Sequence, residues 1–257
     1  MIRRIGQGLY SDKPTLRTKG VTWSTAEYAH PGLEWMYLRM KSLQRFTEIY
    51  SLLERCKSRG VFDQILERGG SSLRIASVGG GPGYELLATK LFFQEHAPGV
   101  ELDLISTDVC AAWKPYVELL GFRFEQYDLM DSERSLMDAI GHRAGEVDFC
   151  LVSCVMIYVT NNHTLESFSR LIHNDKVKAI LLSERGEKMK AANMFEDLGG
   201  AVTRLIDQSY GKDERQVVFS SKDFKETWLT KENERSFDPT FPNVPYEEQK
   251  HKTRNWR

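Results

Sequence analysis

Apolar positions along this chain change period twice. From Met36 to Leu53 they recur at three- and four-residue steps, through Met40, Leu43, Phe46 and Tyr50, which predicts an amphipathic helix of about 24 residues ending near Gly60. Its other face, with Arg39, Lys41, Arg45, Glu48, Glu54 and Arg55, reads as solvated and mostly basic. Upstream, residues 1 to 22 show no period. Ser24-Thr25-Ala26-Glu27 has the Ser-x-x-Glu form of a capping box, so a short helix starts there, and Pro31 disfavours helical geometry at His30. A further short helix is expected from Phe62 to Arg68, stopping at Gly69-Gly70.

From Leu73 onward, short β-rich runs alternate with helical segments, the signature of βαβ units around a parallel sheet. Strands are expected at Leu73 to Val78, Leu102 to Thr107, Phe122 to Tyr127, Val147 to Ser153 and Ala179 to Ser183. Helices are expected at Tyr84 to His96, Ala111 to Leu120, Ser132 to Gly141 and Thr164 to His173. The runs DFCLVS and KAILLS are nearly continuous apolar stretches, as for central strands covered on both faces. Two further β-like segments flank Gly211-Lys212-Asp213 and predict a hairpin at the sheet edge. This organisation suggests a helical extension over residues 1–70, an α/β domain over 71–221 and a polar tail over 222–257.

Charge and cysteine content narrow the picture. Residues 1–60 carry 11 Lys/Arg against 5 Asp/Glu, while the remainder carries 24 against 31, so a basic N-terminal third could meet an anionic partner or simply be a solvated face. Cys56, Cys110, Cys150 and Cys154 show no CxxC pairing and mostly sit in apolar runs, and the six histidines lack ligand spacing. These features predict a reduced intracellular setting, cytoplasmic or nuclear, with no structural metal. No run approaches the roughly 18 apolar residues of a membrane span. The last residues, QKHKTRNWR, are basic and could touch nucleic acid or be an ordinary tail.

The densest chemical signal is RIASVGGGPGYELLATKLF, residues 74 to 92, where a strand runs into glycines at 79, 80, 81 and 83 and then into a helix. Glycines there let a ligand approach the backbone and aim helix N–H groups at it. A phosphate-binding loop needs Gly-Lys-Ser/Thr, and Tyr84-Glu85 stands instead. The dinucleotide fingerprint G-x-G-x-x-G, begun at Gly79, meets Tyr84 at its third glycine, which disfavours NAD or FAD.

Gly79, Gly81 and Gly83 do fit G-x-G-x-G. This resembles motif I of the class I S-adenosylmethionine-dependent methyltransferases, a Rossmann-like fold with a mostly parallel, seven-stranded, doubly wound sheet. Later elements keep the resemblance over residues 72 to 186: LDLISTD ends in Asp108, FEQYDLMD offers Asp128, and VDFCLVSCVMIYV looks like the fourth strand with its following loop. The resemblance implies S-adenosylmethionine as cofactor, held by Gly79, Gly80, Gly81, Gly83, Asp108, Asp128 and Ser153. Asp108 would take the ribose hydroxyls and Asp128 the adenine side, although either can equally be a strand-end cap. Ser77 departs from the family's acidic residue two positions before the first glycine.

Acceptor signatures are sparse. There is no Asn/Asp-Pro-Pro-Tyr/Phe after the fourth strand and no Pro-Cys; Cys154 lies nearby, but its own segment holds no cation to activate a thiolate, so it reads as packing. Ser153, Tyr158, Glu184 and Arg185 can face an acceptor, with Glu184 and Tyr158 as candidate catalytic groups. Trp23, Tyr28, Trp35 and Tyr37 are either core aromatics or a lid. The expected activity is methyl transfer to an oxygen or nitrogen of an acceptor, leaning to RNA over a small metabolite or protein. A non-catalytic methyltransferase-like binding module and an NAD(P)-dependent oxidoreductase remain as alternatives.

Overall fold

A computed structural model describes residues 23–63, 72–141, 146–156, 158, 163–184, 195–206 and 215–228. Helix α1 (Thr25–Tyr28) begins at the expected capping box, with Ser24 Oγ accepting from the Glu27 N–H and the Glu27 carboxylate accepting from the Ser24 N–H. Helix α2 (Pro31–Ser58) follows, with His30 extended as its N-cap and Pro31 at its first position, as the pyrrolidine ring requires.

The sheet comprises β1 (Ser72–Val78), β2 (Glu101–Asp108), β3 (Arg123–Gln126), β4 (Phe149–Ser153), β5 (Ala179–Ser183), β6 (Ala201–Arg204) and β7 (Gln216–Ser220). Between them run α3 (Tyr84–His96), a 3-10 turn (Ala111–Trp113) continuing into α4 (Lys114–Leu119), α5 (Leu136–Ile140) and α6 (His163–His173), and α7 (Lys222–Trp228) follows β7. Strand order is β3-β2-β1-β4-β5-β7-β6. The first five strands pair in parallel, whereas β7 is antiparallel to both β5 and β6. The expected edge hairpin therefore folds back, placing β7 inside β6; its expected turn at 211–213 lies outside the described residues.

Period-2 alternation sorts the central strands onto two apolar layers. Leu73 and Ile75 of β1, with Phe149 and Leu151 of β4, face a layer built with Ile49, Leu52, Leu53, Phe92 and Phe93. Ala76, Val78, Cys150 and Val152 face the opposite layer of Leu136, Phe168, Leu171 and Phe219. With both faces covered, β4 and β5 are buried along their full length. Each large apolar side chain so buried contributes roughly 1.5–3 kcal/mol.

Two helix expectations change. The segment expected helical from Ser132 to Gly141 forms only Leu136–Ile140, because Ser135 caps at that point through Asp138, while Asp128 and Asp131 tie the preceding turns by accepting N–H groups of Met130 and Glu133. The apolar face of α2 is also rotated: Leu33, Met36, Ile49, Leu52, Leu53 and Cys56 are buried, while Met40 and Leu43 are 50% and 74% exposed. Arg45, assigned to the solvated face by sequence, is 7% exposed, and Arg55 is half-buried with its guanidinium on Gln216 of β7. The helix expected from Phe62 to Arg68 falls largely outside the described residues.

Candidate functional site

Strand order reverses between β1 and β4, the place where an open α/β sheet leaves a crevice beyond its strand ends. A cavity of about 600 Å³ opens there. Its floor is made by Val78 at the end of β1 with Gly79 and Gly81 beyond it, Asp108 at the end of β2, Tyr127 to Met130 after β3, Ser153 at the end of β4 with Cys154 and Val155 beyond it, and Glu184 after β5. Its roof comes from Trp23, Tyr28, Tyr37, Lys41 and Arg45, together with Tyr158.

The glycine turn is shaped from beneath. A Cβ on Gly80 would lie 2.6 Å from Ser77 Oγ and 2.7 Å from Ser106 Oγ, so the loop rests directly on two hydroxyls. Gly79 has φ +68, and a Cβ there would strike Val155 at 2.5 Å, across the crevice from the β4 side. Gly81 lines the cavity, whereas Gly80 does not, and Gly83 begins α3 against the side of Val117, Leu120 and Phe122. Among the glycines predicted to meet a cofactor, then, Gly79 and Gly81 face the cavity, while Gly80 and Gly83 shape the turn.

Asp108 ties this turn to the next strand. Its Oδ2 accepts from the Gly81 N–H at 3.0 Å and its Oδ1 from the Cys110 N–H at 2.8 Å. Burial raises its carboxyl to about 6, opposed by these two hydrogen bonds. Asp128 is exposed and accepts from the Met130 N–H. Ser153 lines the cavity with its hydroxyl buried and without a hydrogen-bond partner among the described residues. Glu184 reaches back to the turn after β4, its Oε1 accepting from the Met156 N–H at 2.8 Å. The Tyr158 hydroxyl is 2.5 Å from that of Tyr28.

Several cavity residues carried no sequence signal. Trp113 packs edge-on to Tyr28 at 5.9 Å and lies 5.4 Å from Tyr37, so Tyr28 and Tyr37 line the cavity while also packing on the core that Trp113 belongs to. Trp35, by contrast, is not part of the lining and carries Arg39 over its ring at 5.6 Å. Tyr37, Lys41 and Arg45 recur every fourth residue, which puts them on one stripe of α2 turned to the cavity. Arg45 Nη1 donates to Cys154 Sγ at 2.6 Å, so the cation absent from the Cys154 segment is supplied by α2. Glu85, in the first turn of α3, is buried and raised to about 7; desolvation outweighs its own backbone N–H and the charge of Arg45.

No family model matches the chain, and no curated protein matches it. Solved structures do. The DszA carbon methyltransferase is 20% identical with a TM-score of 0.45, over 63% of this chain and 50% of that one, so the chain spans half that protein's length. A putative S-adenosyl-L-methionine-dependent methyltransferase of Methanococcus maripaludis is 12% identical, TM-score 0.44, over 74% of this chain and 92% of its own. The METTL16 methyltransferase domain is 19% identical, TM-score 0.40, over 63% and 64% respectively. The sheet itself, five parallel strands closed by an antiparallel β7, has the Rossmann-like class I methyltransferase fold.

Among the described residues no group of His, Cys, Asp or Glu is arranged to hold a metal ion, and no helix is long and apolar enough to cross a membrane.

Proposed function

We propose that this chain is an S-adenosylmethionine-dependent methyltransferase acting on an oxygen or nitrogen acceptor, with RNA the first acceptor to test. The observation that carries it is convergence at one crevice: Gly79, Gly81, Asp108, Asp128 and Ser153, from four strand ends, line a single cavity beneath an aromatic and cationic roof. That lining fits the cofactor's chemistry. Two glycines leave room against backbone, two carboxylates can accept from hydroxyl and amino groups, and the Ser153 hydroxyl is buried with its hydrogen-bonding capacity unspent.

When bound, S-adenosylmethionine supplies a methyl carbon already activated by its sulfonium. The chain then has to orient and exclude water, and orientation alone is worth on the order of 7–11 kcal/mol. In this reading residues 71–221 hold the cofactor, and the helices within 1–70 roof the acceptor through Trp23, Tyr28, Tyr37, Lys41 and Arg45. Glu184 and Tyr158 orient the acceptor; Glu184 also braces the turn after β4. The cations of the roof, with the basic residues of 1–60, favour an anionic acceptor such as RNA over a cationic one. The final stretch, QKHKTRNWR, adds basic charge.

One observation favours a second reading, a methyltransferase-like binding module: both Asp108 oxygens already accept backbone N–H groups, as a strand-end cap would. Calorimetric titration with S-adenosylmethionine, S-adenosylhomocysteine and NAD separates the readings. Micromolar binding of the two adenosyl ligands without NAD supports the enzyme, and transfer of labelled methyl to cellular RNA, with RNA binding that weakens steeply as salt rises, supports the acceptor. Silence for both adenosyl ligands leaves the binding module, and binding of NAD alone moves the reading to an oxidoreductase.

A further inference from the structure

The contact between Cys154 and Arg45 is chemically distinct from everything else in the cavity. Cys154 follows the last residue of β4 at φ +53, a left-handed conformation uncommon for a side chain with a Cβ. Its own N–H donates to the Ser183 carbonyl at 2.9 Å, and the next turn is tied to Glu184, so the residue is fixed at the strand tips. It lines the cavity and is only partly buried. From above, Arg45 Nη1 reaches Cys154 Sγ at 2.6 Å and Glu48 Oε2 at 2.8 Å. Burial would lower the guanidinium, and the charges of Cys154, Tyr37 and Glu48 more than restore it, holding it above its ordinary range. Beside the thiol, Ser153 lines the same cavity, and its buried hydroxyl has no hydrogen-bond partner among the described residues.

The other cysteines offer a contrast. Cys56, Cys110 and Cys150 are all buried, and burial pushes each thiol up. At Cys56 the charge of Arg55 opposes burial without overcoming it. We propose that Cys154 is a nucleophilic thiolate site opening on the cavity, sustained by Arg45, and that it takes small soft carbon electrophiles of the alkyl-halide or conjugated-carbonyl class. With an alkyl halide, the thiolate sulfur forms the new S–C bond, the carbon–halogen bond breaks, and halide leaves with the electron pair; with a conjugated carbonyl, the sulfur bonds the β-carbon, the C=C π pair shifts to give the enolate, and solvent supplies the proton to its α-carbon.

Other charges face the pair and set its pH response. On α2 these are Lys41, Glu48 and the neutral Tyr37; from the sheet side they are Asp108 and Glu184, with the Tyr158 hydroxyl beside them. Burial raises Asp108 to about 6 and Glu85, at the start of α3 and acting on Arg45, to about 7, so both bear on the pair's pH response, and Arg45 is the cation in direct contact with the thiol.

Iodoacetamide labelling of the full chain, followed by peptide mapping from pH 6 to 10, tests this. Cys154 should carry the label first, and at pH 7 its rate should fall about tenfold in Arg45→Gln, recover in part in Arg45→Lys, and vanish in Cys154→Ser. At pH 10 wild type and Arg45→Gln should converge, which separates a charge effect from altered access. If Arg45→Gln does not fold, the wild-type curve is compared with the urea-unfolded chain, and the folded Cys154 should reach half-maximal rate at lower pH. Equal rates at pH 7 in Arg45→Gln and wild type, a folded curve matching the unfolded one, or label placed first on Cys110 overturns the assignment. The readout needs neither cofactor nor acceptor, so loss of adenosyl-ligand binding would sink the proposed function without touching this result.

Discussion

At Ser77, the hydroxyl is buried, has no hydrogen-bond partner among the described residues, and lies under Gly80, whose backbone comes close enough that an added Cβ would sit 2.6 Å away. A carboxylate at that position would lack room beneath Gly80, so an acidic residue there and this close-set loop exclude one another. Replacing Ser77 by Asp should therefore cost about 3 kcal/mol or more and weaken S-adenosylmethionine binding, rather than restore a missing function. Thermal denaturation and titration calorimetry read both effects, and tighter binding in Ser77→Asp would refute the steric account. Asp108 is the complementary case: it lines the cavity and also pins the Gly81 N–H, so Asp108→Ala should weaken cofactor binding about tenfold or more through lost contact and a loosened turn together. Unchanged affinity in that variant would remove Asp108 from the site. The glycines and strand-end acids were legible in sequence because fixed spacing from a strand places them; Arg45 and Trp113 were not, since their approach to the cavity depends on how distant elements pack.

Helix α2 shows why pattern alone misplaced part of the roof. Its sequence carries apolar residues on more than one side, and the stripe through Met40 and Leu43 competes with the one through Leu33, Ile49, Leu52 and Cys56. Burial against α3 and the sheet selects the second stripe, which also brings Tyr37, Lys41 and Arg45 over the cavity at four-residue steps. Polar anchoring fixes the rotation, because Arg55 donates to Gln216 of β7 and Gln216 Nε2 donates to the Glu48 carbonyl at 3.0 Å. Leu43→Glu should then change stability by no more than about 0.5 kcal/mol, while Leu52→Ala should cost about 2–5 kcal/mol. Chemical denaturation of both variants checks the face assignment; a large loss in Leu43→Glu would reinstate the stripe read from sequence. The strands needed no such correction beyond a residue or two at their ends, since near-continuous apolar runs bounded by glycine and acidic residues leave few alternatives to a doubly covered parallel sheet.

For the whole molecule, the two buried carboxylates near the glycine turn link stability to ligand binding. Burial raises Asp108 to about 6 and Glu85 to about 7, so in the folded chain both hold protons that the unfolded chain has already released. The stability they contribute is complete below about pH 4 and is lost as pH rises through 6 and 7, because the folded state then has to carry desolvated charge. Asp108 lines the cavity, so S-adenosylmethionine bound there as proposed would favour its ionised form through the sulfonium and ammonium charges. Thermal scans at pH 5, 6 and 7.5 should therefore show the apo melting temperature falling while the increase produced by S-adenosylmethionine grows. Glu85→Gln should remove part of the apo trend, melting about 3–6 °C above wild type at pH 7.5 without ligand and matching wild type near pH 4. S-adenosylhomocysteine, which lacks the sulfonium charge, should show a weaker pH dependence than S-adenosylmethionine. An apo melting temperature that rises between pH 5 and 7.5 in wild type and Glu85→Gln alike would mean that these carboxylates ionise without cost, and that the cavity's charge is not held ready for a cation.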